Sequence, residues 1–288
     1  MNYKTNYHSH TVFCDGKCTP EEMVKAAIKK EFTAFGFSGH SMYPFAEDWH
    51  IAPREHDKYI EEIRRLQKQY ENQLEILCGF EADYIPALCE PTFKRFEKFK
   101  PDYLIGSVHY IVTEKGFFTV DDSTENVRKG IEHLFNGNGK KVVQEYFYLQ
   151  RQMLKTGDFT ILGHPDLVRK RNGELKFFDE SENWYKSEVK ALVKEIARTN
   201  VIVEINTGAI SRGAMDDVYP SAYMLELLHE KNIPVTISSD CHSVDSIDGA
   251  FDRAVQAIKK AGYTQKAVLV RPDSANSKPG IKFAALEN

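Results

Sequence analysis

The chain has 288 residues, 38 Lys and Arg against 42 Asp and Glu, and a formal charge of -4. That length supports a large core without disulfides, as one α/β barrel or two domains, and with a mildly acidic balance no basic surface advertises non-specific duplex binding. No run of about 18 apolar residues is present to span a membrane, so neither a nucleic-acid nor a membrane partner is expected.

Residues 6–10 read as a first strand. Thr19 is an N-cap, with Pro20 at the first helical position and Glu22 three residues after the cap, opening a helix to about residue 31. Residues 34–40 read as a buried strand, 41–53 as irregular and aromatic, and 54–70 as a charged helix. A strand over 74–82, a helix over 91–100 and a strand over 103–109 follow. An excursion over about 110–155 comes next: a hairpin at 110–120, then helical sequence at 124–154 broken by Asn136-Gly137-Asn138-Gly139, a strong turn signal. The remainder alternates again. Strands are expected at 160–164, 201–206 and 235–240, helices at 182–199, 221–231 and 246–261, and a basic loop at 168–176. A short apolar segment at 267–270 precedes a polar tail.

Seven main strands, each followed by helical sequence, imply parallel strands with crossover helices. With no linker or repeat, residues 1–288 are expected to form one domain. Polar residues gather at the C-terminal end of nearly every strand, which favours a closed or distorted (β/α)7 barrel of TIM-like type over a doubly wound open sheet. Met1 to His10 lacks the apolar core of a signal peptide. Five cysteines are odd in number and too few for a secreted disulfide scaffold, so a reducing cytoplasm is the simplest compartment. Nothing in the sequence specifies an oligomeric state.

Six of the ten histidines fall at strand ends: His8, His10, His40, His109, His164 and His242. His50, His56, His133 and His229 fall in loops or helices and are given no special role. His8-Ser9-His10 and Asp240-Cys241-His242 have i, i+2 spacing, which points two ligands to one face of a strand. A lone histidine of this kind is commonly a satisfied core residue. Six at equivalent positions, joined by Asp15, Glu81 and Asp240, are costly to bury without a metal or phosphate. A multinuclear metal site satisfies all of them.

The constellation His8-Ser9-His10, Asp15, Gly39-His40-Ser41, Gly79-Phe80-Glu81, Gly106-Ser107-Val108-His109, Gly163-His164-Pro165-Asp166 and Ser239-Asp240-Cys241-His242 resembles the polymerase and histidinol phosphatase (PHP) family. It does so in the right order, from the first strand to the last. The resemblance implies a distorted seven-stranded barrel with three divalent ions at the strand C-termini. One ion would take His8, His10, Glu81 and Asp240; a second Glu81, His109 and His164, with Glu81 bridging; a third Asp15, His40 and His242. Some relatives place His where Asp15 stands. Chain length, the inserted region and the lack of a polymerase portion make the chain most similar to the stand-alone histidinol-phosphate phosphatases, which act on L-histidinol phosphate.

Imidazole and carboxylate donors suit Zn, Mn or Fe, and no thiolate marks a specific zinc site. Cys14 and Cys18 read as incidental, and Cys241 should point away from Asp240 and His242. Two ions sharing a carboxylate can hold a hydroxide for in-line attack on a phosphate monoester. No nucleophile elbow or P-loop competes with that reading. Asp15, His242 or a water could protonate the leaving alkoxide. Arg169 and Arg212 follow strand ends and are expected to bind the phosphate, with Arg171 as a competitor. Residues 42–49, Met42 through Glu47 and Asp48 to Trp49, offer carboxylates and aromatic walls for an ammonium and an imidazole, as do Phe117 and Phe118. The alternatives are another PHP phosphoesterase (a nucleotide monoester phosphatase or 3′-5′ exonuclease), an amidohydrolase-like barrel, and a non-catalytic metal-stabilised module.

Overall fold

Short runs rich in β-branched and aromatic residues form the strands of the computed structural model, which describes residues 3–272 and 278–286. They are β1 (Thr5–Asn6), β2 (Ala34–Phe37), β3 (His40–Ser41), β4 (Glu75–Asp83), β5 (Tyr103–Ser107), β6 (Tyr110–Thr113), β7 (Gly116–Thr119), β8 (Ile161–Leu162), β9 (Ile202–Asn206), β10 (Val235–Ser238), β11 (Gln265–Val270) and β12 (Gly280–Ala285). The helices are α1 (Pro20–Lys29), α2 (His56–Gln69), α3 (Thr124–Phe135), α4 (Gly139–Thr156), α5 (Asn172–Leu175), α6 (Asn183–Ile196), α7 (Gly208–Ser211), α8 (Ala222–Glu230) and α9 (Phe251–Lys260).

The strands pair in parallel in the order β1-β2-β4-β5-β8-β9-β10. β3 continues β2 against β4 in the same register, so the two are one strand interrupted at Ser38-Gly39. The ends of this sheet almost meet. A single bridge, Ser9 to Cys241, joins the segment after β1 to the segment after β10, with the His10 amide donating to the Cys241 carbonyl at 2.9 Å. The result is a nearly closed parallel barrel wrapped by helices, as the alternation of elements predicts.

Alternate strand residues fill the lumen. Tyr7, Ala34, Leu77, Tyr103, Ile105, Ile161 and Ile202 form one buried cluster with Ala267 and Leu269. Tyr103 reaches across, its hydroxyl donating to the Phe37 carbonyl at 3.0 Å. Gly36 and Gly79 leave room for it: a Cβ at either would lie 2.4 Å or 2.6 Å from a Tyr103 atom. The apolar segment at 267–270 is therefore β11 of an antiparallel β11–β12 ribbon, not a further barrel strand. It packs beneath the lumen, where the Leu269 amide donates to the Tyr7 hydroxyl at 3.0 Å. Part of the expected polar tail forms β12, and residues 273–277 and 287–288 of it lie outside the described residues.

Local signals explain most helix boundaries. Thr19 and Glu22 form the reciprocal capping box at α1, and Ser221 caps α8. Asn136 and Gly137 take positive φ of 51° and 75°, turning α3 into α4. The helix expected over 91–100 does not form. Four of its amides bond three residues back, Arg95 to Thr92 and Phe99 to Phe96 among them, and only a 3-10 turn (Glu97–Phe99) results. Phe93, Phe96 and Phe99 recur every three residues, a spacing that a three-per-turn chain satisfies as well as an α-helix.

Candidate metal centre

The strand C-termini converge on one mouth. His8 and His10 follow β1, His40 opens β3, Glu81 lies near the end of β4, His109 follows β5, His164 follows β8, and Asp240 and His242 follow β10. The β pleat sends His8 and His10 to the same face, as it does Glu81 and Asp83. All six histidines and Asp15, Glu81 and Asp240 are brought together. Their donor atoms fall into four overlapping groups within 4.8 Å: His10, Asp15, His40 and His242; His8, His164 and Asp240; His8, His10 and Glu81; His40, Glu81 and His109.

Glu81 sits at the centre. One carboxylate oxygen lies 2.9 Å from His8 Nε2, 3.5 Å from His10 Nε2 and 2.8 Å from His40 Nδ1. The other lies 2.9 Å from His164 Nε2 and 3.4 Å from His109 Nε2, and accepts from the Ser107 hydroxyl at 2.7 Å. His10 Nε2 is 3.2 Å from Asp240, and His242 Nε2 is 3.0 Å from Asp15. Although close, the buried atoms His8 Nε2, His10 Nε2, His40 Nδ1 and Glu81 Oε2 make no hydrogen bond among themselves. Their lone pairs point to shared space rather than at a partner, which is the arrangement that a bound cation requires.

The electrostatics agree. Burial opposes charge on Glu81, yet the imidazoles of His8, His40 and His109 and the His164 hydrogen bond hold it well below the usual carboxylate range. Burial likewise opposes charge on Asp240, and Arg212 and His8 overcome it. Burial and the neighbouring His40 and His242 push His10 down to about 3, making it a neutral donor.

The mouth opens into a cleft of about 360 Å³ whose walls include Trp49, Asp121, Lys170, Arg212 and His242. Arg212 stands at this wall, with Nη2 donating to Asp240 Oδ2 at 3.0 Å and Nη1 to the Asp240 carbonyl at 2.6 Å. Asp240 itself holds a left-handed φ of 49°, a conformation that aspartate adopts more readily than most residues. Arg169 is not brought to the cleft. Only 7% exposed, it donates to Glu180 at 2.9 Å, Asp217 at 2.7 Å and the Val218 carbonyl at 3.2 Å. Carboxylates from neighbouring segments draw its guanidinium away from the metal face, and Lys170 is the cation that this loop presents to the cleft. Arg171 bonds backbone carbonyls at Asp121 and Asp122. Cys241 is buried in the core behind the strand, and Cys14 and Cys18 join no donor group among the described residues.

Several supporting residues carry no assignment from the sequence. Glu204 accepts from His8 Nδ1 at 2.8 Å and from the His164 amide at 2.8 Å. Asp83 bonds His109 Nδ1 at 2.7 Å and His50 Nε2 at 2.8 Å, so His50 belongs to the site after all. Asp83 stands two residues after Glu81, and that i, i+2 spacing was its available signal. Glu47 and Trp49 line a neighbouring cleft of about 420 Å³ together with Tyr110, Phe117, Phe118 and Asp122, so the aromatics of both segments gather beside the metal mouth.

Fold and site together define an α/β barrel enzyme whose mouth gathers donor groups suited to metal. The PHP domain matches residues 6–208, and the chain belongs to the PHP family. A Schizosaccharomyces pombe protein named probable histidinol-phosphatase is 28% identical, covering 93% of this chain and 90% of its own length. Among solved structures, HisK of Listeria monocytogenes has a TM-score of 0.76 at 22% identity, covering 86% of this chain and 99% of that one. Histidinol phosphate phosphatase from Lactococcus lactis, complexed with zinc, L-histidinol and phosphate, has a TM-score of 0.67 at 20% identity, covering 92% and 96%.

Proposed function

We propose that the chain is a metal-dependent phosphomonoesterase that hydrolyses L-histidinol phosphate to L-histidinol and phosphate, a step of histidine biosynthesis. The observation that carries this reading is the convergence of nine imidazoles and carboxylates on one mouth, with buried donor atoms that bond nothing in the protein. The histidinol-phosphatase relatives supply the substrate.

Three divalent ions, Zn, Mn or Fe, are assigned to this mouth. His8, His10, Glu81 and Asp240 would hold one, Glu81, His109 and His164 a second, and Asp15, His40 and His242 a third. The donor chemistry suits these metals, and the Lactococcus relative carries zinc. Bound there, the ions would supply Lewis acidity that acidifies the attacking water and offsets phosphate charge.

The protein's own groups do the rest. Arg212, beside Asp240 and His242, and Lys170 direct positive charge into the cleft for the phosphate oxygens. The hydrogen bond between His242 Nε2 and Asp15 Oδ2 lies at the exposed side of the cluster. With an ion held by those two residues, a water beside them would be placed to protonate the leaving alkoxide. Trp49 offers a flat wall and Glu47 and Asp122 offer carboxylates for the imidazole and ammonium of the substrate. The five cysteines are free, which suits the cytoplasm.

The test is phosphate release from a panel of L-histidinol phosphate, nucleotides and a short single-stranded DNA. Release should be fastest by far from histidinol phosphate. Activity on DNA or nucleotides alone would overturn the assignment.

A further inference from the structure

The segment between β3 and α2 is tied to the metal mouth by an unbroken hydrogen-bond chain. The Glu47 amide donates to His50 Nδ1 at 3.2 Å. A backbone amide can only donate, so Nδ1 accepts and the His50 proton sits on Nε2. That proton is given to Asp83 Oδ2 at 2.8 Å, and Asp83 Oδ1 takes the Nδ1 proton of His109 at 2.7 Å. His109 is thereby left with Nε2 as its metal-facing nitrogen, 3.4 Å from Glu81. His50 is 4% exposed and Asp83 1%, so no bulk solvent competes for these bonds.

The same chain fixes an aromatic wall. The Trp49 ring lies over the His50 ring at 3.8 Å and stacks on Tyr110 at 5.7 Å and 12°. It meets the rings of His40 and His109 edge-on, at 4.6 Å and 5.4 Å. One imidazole thus contacts both the support of a metal ligand and the side chain that walls the cleft.

The geometry assigns His50 as a positioning residue: through Asp83 it sets the tautomer and orientation of His109, and through its ring it seats Trp49 over the metal mouth. Metal uptake at His109 and the placing of Trp49 are coupled as a consequence. This inference rests on the metal-centre reading above.

The test is a zinc titration of metal-free protein carrying Trp184→Phe, which leaves Trp49 as the sole tryptophan, followed by its fluorescence. The parent should report uptake through Trp49. His50→Leu should weaken the titration by roughly 10–100-fold, while His50→Gln, which can accept from Glu47 and donate to Asp83, should stay within about threefold of the parent. A lowered Tm with parent-like zinc affinity in His50→Leu would mark a merely structural role and overturn the assignment. So would a Gln variant as weak as Leu. If His50→Leu does not fold, Asp83→Asn takes its place: weakened zinc binding supports the chain of bonds, and parent-like binding overturns it. A parent that takes up no zinc would remove the metal centre itself, and this inference with it.

Discussion

Glu204 and His8 meet at 2.8 Å with both side chains wholly buried. The contact falls on His8 Nδ1, so it turns Nε2 toward Glu81 and Asp240. The other Glu204 oxygen accepts from the His164 amide and from Asn206 Nδ2 at 2.9 Å. One carboxylate of β9 thus bonds two ligands, one from the neighbouring β8 and one from β1 on the far side of β10. Glu204→Gln keeps the size but offers one oxygen for three donors. It should lower metal affinity by roughly 10–100-fold. Metal analysis after dialysis, with circular dichroism to confirm folding, checks this; full metal content would refute it.

Arg212 and Arg169 should separate cleanly on mutation. Arg212→Ala is expected to raise KM and lower kcat/KM, since it strips the cleft wall of its guanidinium. Arg169→Ala should instead act on stability. It leaves Asp166, 0% exposed and 3.5 Å from Arg169, without its cation. Burial already pushes that carboxyl up to about 6 against the pull of Arg169. Breaking a buried pair of this kind costs about 3–5 kcal/mol. Thermal denaturation and steady-state kinetics on both variants would expose any exchange of these roles.

His56 gives the fold a pH dependence. Burial among Tyr43, Phe80 and Phe99 pushes it from 6.5 down to about 4. Between those values the unfolded chain binds a proton that the folded chain refuses, so stability falls as pH drops from 6.5 to 4 and is unaffected by this group above 6.5. At about 1.4 kcal/mol per unit, the loss is on the order of 3 kcal/mol at most. His56→Gln should flatten that part of the curve. Denaturant titrations of metal-free parent and variant at pH 4.5 and 7 measure the difference; parallel curves would dismiss it.

Chelation should destabilise the protein as well as stop phosphate release. An ion present at about 100 times its Kd, bound only by the folded state, contributes about 2.7 kcal/mol. Differential scanning fluorimetry should show Tm falling with EDTA and recovering with zinc or manganese. Neither Tm nor activity responding would contradict the metal assignment.

The sequence discloses what depends on local spacing and withholds what depends on distant partners. His8 with His10, and Asp240 with His242, are legible because strand alternation alone puts each pair on one face. The turn at Asn136-Gly137 is legible because few residues take positive φ. Arg169 misleads because its partners Glu180 and Asp217 arrive from other segments. Glu204 is silent for the same reason: its role exists only once β9 lies near β1 and β8. The segment 91–100 misleads differently, since phenylalanines three apart suit two kinds of helix.

The barrel is a ring with one poorly sewn joint. At the seam between β1 and β10 Ser9–Cys241 is the one strand-type bridge among the described residues, helped by Asn6 bonding Ser239 and by the Lys17 amide on the His242 carbonyl, and the residues on either side of its two halves are His8, His10, Asp240 and His242. An ion gripped by His8, His10 and Asp240 would be a rivet through that joint. Catalytic cargo and mechanical fastening then fall to the same atom, and a protein emptied of metal should begin to unravel at the seam before its helices let go.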